Sequence, residues 1–270
     1  MSNWQSGNVD VNGLRMHYTR TGGQKPPVVL AHGFSDDGLC WTPVAQLLES
    51  DYDVVMVDAR GHGKSDDPEE GYSSADHAGD LAGVIKGLGL QRPAVLGHSM
   101  GAATAIMLAG VYPDLPRAIL LEDPPAWWMP PPPDAATSRR PANFGSWIIK
   151  LKRMTREELI AQAHTDSPVW SEAELGPWAD SKLRLSFRVL NRAGSPAQNQ
   201  PELVRRITCP TLLITADPTR GSIVTPEAAQ ALQAFLPQVQ VTHINDAGHN
   251  IRREQFARYM EVVKGFLAKV

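Results

Sequence analysis

Residues 93–101 read PAVLGHSMG, an apolar run that closes on Gly97-His98-Ser99-Met100-Gly101 and leads directly into the alanine-rich AATAIMLAG (102–110). G-x-S-x-G has three fixed positions in five and recurs by chance in unrelated chains, so its weight comes from its surroundings. Between a buried-strand run and a helical run, such a serine sits on a strained turn that lifts its oxygen off the strand end. The glycines then stand where neighbouring backbone leaves no room for a Cβ. On this reading Ser99 is a candidate nucleophile.

Outward from that turn, short β-type runs alternate with helical ones, the pattern of a largely parallel sheet covered on both faces. VVLAHG (28–33), DVVMVDAR (53–60), PAVLGH (93–98), RAILLED (117–123), TLLITAD (211–217) and VQVTHIN (239–245) are the strand candidates. WTPVAQLLES, SADHAGDLAGVIKGLG, MGAATAIMLAGVY, PEAAQALQAFL and REQFARYMEVVKGFLAKV carry helical periodicity. Before Val28, alternation around Asn12-Gly13 predicts an antiparallel hairpin with a type I′ turn. The fold class is therefore α/β.

From Pro124 to about Gln200 the rhythm breaks. PPAWWMPPPP forbids regular helix or central strand, and three helical stretches follow: NFGSWIIKLKRM, TREELIAQAH and GPWADSKLRLSFRVLN. Thr155 with Glu158, and Ser171 with Glu174, have capping-box spacing. The expected organisation is a core of residues 1–123 and 201–270 carrying a helical lid at 124–200. The insertion holds Trp127, Trp128, Trp147, Trp170 and Trp178. This is more aromatic surface than packing a small lid requires, and Trp127, Trp128, Trp147 and Trp178 are taken as the wall of a substrate pocket.

Ser99 falls at the carboxyl end of a parallel-type strand, where open α/β sheets gather ligands. His32-Gly33-Phe34 closes another strand, so the backbone N–H groups of Phe34 and Met100 are candidates for an oxyanion hole. In DAGHNIRRE (246–254), His249 follows a glycine between the last strand and the last helix, in the chain order of a base that follows its nucleophile. His98 is read as packing, with its ring turned away from the pocket, and His32 as support beneath the oxyanion loop.

Composition narrows the partners. Lysine and arginine number 26 against 29 aspartate and glutamate, without a basic cluster dense enough for a phosphate backbone, so nucleic acid is not expected. No apolar run approaches the ~18 residues of a membrane span, and the first residues lack signal-peptide blocks. The chain reads as soluble and cytoplasmic, with Cys40 and Cys209 as buried thiols rather than a disulfide. Metal-site spacing and phosphate loops are absent from the sequence, so no metal and no cofactor is expected.

HGF, DARGHGKSD, GHSMG and DAGHNIRRE, in this order and spacing, resemble the α/β-hydrolase superfamily in its lid-bearing branch of esterases, haloperoxidase-like esterases, lactonases, C–C bond hydrolases and dehalogenases. The resemblance spans nearly the whole chain outside the insertion. Dehalogenases and epoxide hydrolases of this superfamily carry aspartate where this chain has Ser99, and a serine suits attack on an acyl carbonyl. In most relatives the triad acid follows the strand matching TLLIT in a G-x-x-D turn; here that glycine is Ala216, the third residue beyond it is Thr219, and Asp217 comes two positions early. Other relatives take the acid from the strand after the nucleophile helix, which implies Asp123 here. Asp123 is preferred, with Asp217 as the alternative. The implied activity is hydrolysis of an ester or lactone, a small-molecule substrate, through an acyl-enzyme. A C–C bond hydrolase or lyase and a non-hydrolytic ligand receptor are the alternatives on the same scaffold, and oligomeric state is left open.

Overall fold

The computed structural model describes residues 4–130, 144–191 and 200–270. The parts of the expected lid at 131–143 and 192–199, including most of the proline run, lie outside the described residues, as do the first three residues of the N-terminus.

Eight strands form one sheet in the order β1-β2-β4-β3-β5-β6-β7-β8. β1 (Gln5–Val11) and β2 (Leu14–Arg20) make the expected hairpin, with Asn12 and Gly13 at φ 53° and 77°, the positive-φ pair a type I′ turn requires. β2 pairs antiparallel with β4 (Asp53–Val57), and from there β3 (Pro27–Ala31), β5 (Ala94–His98), β6 (Ala118–Glu122), β7 (Thr211–Thr215) and β8 (Val239–His243) run parallel.

The central strands are apolar throughout because both faces are covered. Val29, Val55, Val95, Ile119 and Leu213 belong to one core. Their neighbours Leu30, Val54, Leu96, Leu120 and Leu212 belong to the core on the other face, as the two-residue side-chain period of a strand dictates. The first core is closed by α2 (Ser74–Gly87), α3 (Met100–Val111), α7 (Pro201–Arg205) and α8 (Pro226–Phe235), through residues such as Ile85, Ile106, Val204 and Leu232. The second is closed by α1 (Thr42–Leu48) and α10 (Phe256–Leu267), through Val44, Leu48, Tyr259 and Val263. A single turn, α9 (Ile251–Glu254), precedes α10.

Between β6 and β7 the chain forms α4 (Phe144–Lys152), α5 (Arg156–Asp166) and α6 (Glu172–Arg184), then a 3-10 turn over Phe187–Leu190. Thr155 and Glu158 form a reciprocal capping box at α5. At α6 the same spacing does not: Ser171 makes no side-chain cap bond, and the Glu174 side chain turns inward to a buried contact with Arg253 at 3.0 Å. The helix also begins several residues before the GPWAD stretch, running through Pro177.

Candidate active site

Ser99 joins the end of β5 to the start of α3 with φ 50° and ψ −109°. A non-glycine residue rarely adopts this conformation, which costs about 1–3 kcal/mol unless its surroundings impose it. Here they do. The Ser99 N–H donates to the Glu122 carbonyl at 2.9 Å, and the Ser99 carbonyl accepts from Ala103 N–H at 2.9 Å. A Cβ on Gly97 would stand 2.3 Å from the Gly101 backbone, and one on Gly101 would stand 2.0 Å from the Ala31 carbonyl oxygen. Both flanking glycines are therefore demanded by close approach of α3 to the sheet. Met100 opens α3, where first-turn N–H groups lack intrahelical acceptors and face an incoming anion.

Phe34 follows β3, and the loop beneath it is pinned by histidines. His32 donates through Nδ1 to the Gly33 carbonyl at 2.8 Å and accepts the Ala59 N–H at Nε2, 3.0 Å away. Nε2 of His62 lies 2.6 Å from the Phe34 carbonyl. The loop opposite is held by Asp58, which accepts from Gly38 N–H, Lys64 N–H and His17, and by Arg60, which forks onto Asp80. These contacts outweigh burial and keep the Asp58 carboxyl below its usual range.

The structure brings His249 to Asp123. Nδ1 of His249 is 2.6 Å from Oδ2 of Asp123. Asp123 is wholly buried just past β6, at φ 43°, and its carboxylate also accepts from Ser222 Oγ at 2.7 Å and from the Ile223 and Val224 N–H groups at 2.9 Å each. Such saturation satisfies the hydrogen-bonding demand of a buried carboxylate and fixes the ring orientation of its histidine partner. Asp217 stands elsewhere: its Oδ1 is 3.0 Å from His243 Nε2 and its Oδ2 accepts the Asp246 N–H at 2.8 Å. Those two bonds hold its carboxyl below the usual range.

A cleft of about 630 Å³ opens over this group and is walled in part by Ser99, His249, Phe34, Trp147, Trp170 and Trp178. Trp170 and Trp178 meet edge to face with ring centroids 6.0 Å apart. Arg253 covers Trp170 at 4.7 Å and Lys182 covers Trp178 at 5.0 Å. The other two tryptophans expected in the wall do not line this cleft. Trp128 is 1% exposed in the sheet core, where its indole N–H donates to the Ala228 carbonyl at 2.7 Å, and Trp127 is packed against the same core. In a sequence, aromatic surplus does not distinguish wall from core. His98 borders the cleft but is buried, with its ring packed against that of His249.

Sequence reasoning missed the charged layer behind the cleft. Asp36, 4% exposed, accepts from Lys182 Nζ at 2.8 Å, Arg252 at 3.1 Å and Arg253 at 3.0 Å. Burial alone would push its carboxyl up, but Arg253, Lys182 and Arg252 outweigh it and hold the group well below the usual range. Glu122, beside Arg252, goes the other way because its burial dominates. The two adjacent arginines of HNIRRE carried the available signal: a pair of cations directly after a candidate base. Among the described residues no group of three His, Cys, Asp or Glu side chains has metal-site geometry, and no helix is long and apolar enough to cross a membrane.

Residues 26–252 match the family described as alpha/beta hydrolase fold. N-formylmaleamate deformylase from Pseudomonas putida is 29% identical over 97% of this chain and 96% of its own length. The crystal structure of an N-formylmaleamic acid deformylase from Pseudomonas putida superposes with a TM-score of 0.79 at 24% identity, covering 96% of this chain and 100% of that one. A Rhodococcus esterase superposes with a TM-score of 0.79 at 26% identity over 99% of each chain.

Proposed function

The chain belongs to the alpha/beta hydrolase fold family, and on that premise we propose that it is a serine hydrolase that cleaves the ester or lactone bond of a small acyl compound. The observation that carries the reading is the 2.6 Å contact of His249 with the buried Asp123 at a cleft that also holds Ser99 on its strained turn.

Ser99 Oγ attacks the acyl carbonyl carbon while its proton passes to Nε2 of His249, whose Nδ1–H donates to Asp123. The developing oxyanion is taken by the N–H groups of Phe34 and Met100. The bond to the leaving group breaks as His249 returns the proton to the leaving oxygen. Water then attacks the acyl-enzyme, giving a proton to His249 that returns to Ser99 Oγ as the carboxylic acid departs. Residues 124–200 act as the lid, and Trp147 and Trp178 contribute to the acyl or alcohol pocket. The near-neutral charge of the chain and its free, buried Cys40 and Cys209 support a cytoplasmic enzyme. Similarity to a deformylase along nearly the whole chain supports including N-formyl and N-acyl amides among the substrates tried.

The test is turnover of p-nitrophenyl acetate and butyrate by the wild-type protein and Ser99→Ala. Many turnovers per site, lost in the variant, support hydrolysis. One slow acylation without release, or equal rates in both proteins, overturns it and favours a ligand receptor.

A further inference from the structure

His98 ends β5 immediately before Ser99, and the residue is 3% exposed. Its Nε2 lies 2.9 Å from the backbone carbonyl oxygen of His249. A carbonyl only accepts, so Nε2 carries the proton and donates. Burial, and then the Arg252 guanidinium, hold the imidazole well below its ordinary pKa, which makes it neutral. In that tautomer Nδ1 is a bare lone pair, and it finds no hydrogen-bond partner among the described residues. The ring is wedged in place: a Cβ on Gly33 would stand 2.6 Å from Nδ1, and the ring centroid lies 4.7 Å from that of His249 at 44°.

A buried, orphaned acceptor costs ~1–3 kcal/mol, so as filler a histidine is worse here than an apolar ring of similar size. What the imidazole adds is one donor, aimed at the main chain of the proposed base. We propose that His98 is a positioning residue that ties the backbone of His249 to the end of the nucleophile strand. The Nε2–H bond and the tilted ring contact hold the loop from which His249 reaches Asp123, beside the cleft that Ser99 also lines. A displacement of about 1 Å in such a group is enough to cost ~10²-fold in rate.

The inference rests on His249 being the base, and the experiment separates the two. His98→Gln, His98→Asn and His98→Phe are compared with wild type by kcat and KM on p-nitrophenyl butyrate, by the second-order rate of Ser99 labelling with a fluorophosphonate, and by melting temperature. A glutamine places its amide nitrogen near the imidazole Nε2 position, whereas asparagine ends short of the carbonyl. Expected are kcat and labelling rate lowered ~10–100-fold in His98→Asn and His98→Phe with KM within ~3-fold of wild type, and His98→Gln within ~3-fold of wild type throughout. Equal losses in His98→Gln and His98→Asn, or a loss carried by KM, overturn the inference, whatever the melting temperatures. If His98→Phe does not fold, the glutamine and asparagine pair decides. Wild-type protein that neither labels nor turns over speaks against the proposed function instead.

Discussion

Nδ1 of His249 and Oδ2 of Asp123 lie 2.6 Å apart although the residues are separated by 126 positions, while Asp217 gives its carboxylate to His243 and the Asp246 N–H. If the proposed triad holds, Asp123→Asn lowers kcat ~10⁴-fold, because the amide presents the wrong partner to the His249 tautomer. Asp217→Asn, at a solvent-screened pair away from the cleft, stays within ~5-fold of wild type. Steady-state kinetics on one ester decides this, and the reverse ranking of the two variants would mean that the acid has been misassigned.

The tryptophans separate into two kinds. Trp147 and Trp178 line the cleft, so alanine at either position changes kcat/KM for bulky aromatic or medium-chain esters ~10-fold or more while acetate ester turnover changes little, a wall being worth ~1–3 kcal/mol per contact. Trp128→Ala removes a core side chain and costs ~3–5 kcal/mol of stability, with equal losses on small and large substrates. A substrate-size series together with melting curves checks both, and a size-selective effect of Trp128→Ala would be inconsistent with its buried position.

Asp36 binds Lys182 of α6 to Arg252 and Arg253 behind His249. Its folded pKa lies well below the unfolded value of about 3.9, so the stability it contributes is present above roughly pH 4 and is lost as pH falls through the folded value. Breaking this buried pair with Lys182→Met costs about 3 kcal/mol at pH 7, a fall of ~6–12 °C in melting temperature for a chain of this size. That gap narrows as the pH is taken from 7 to 3. A gap independent of pH would show that the network contributes through packing and not through charge.

The sheet was legible because its central strands are covered on both faces and therefore read as unbroken apolar runs: VVLAHG, TLLITAD and their companions became β3 through β7 to within three residues at each end. The hairpin was legible because Asn12-Gly13 can meet the demand for two positive φ values. Ser99 and His249, the proposed nucleophile and base, stand out in the sequence through their glycine neighbours and chain order. The acid was not decided by sequence, since Asp123 and Asp217 both follow strands and only the loop carrying Ser222–Val224 distinguishes the one that is buried and saturated. Trp128 was misread, and the bond made by His98 was not foreseen, for the same physical reason. Each depends on a partner a hundred or more positions away, the Ala228 and His249 carbonyls, and no local pattern encodes such a contact.

The central claim, that Ser99 is the reacting group of this cleft, is tested most directly by incubating the native protein with a fluorophosphonate and locating the adduct by peptide mass spectrometry. The account predicts one adduct per chain, on the peptide containing Ser99, with none formed by Ser99→Ala. An adduct on another residue, or labelling that persists in Ser99→Ala, would contradict it.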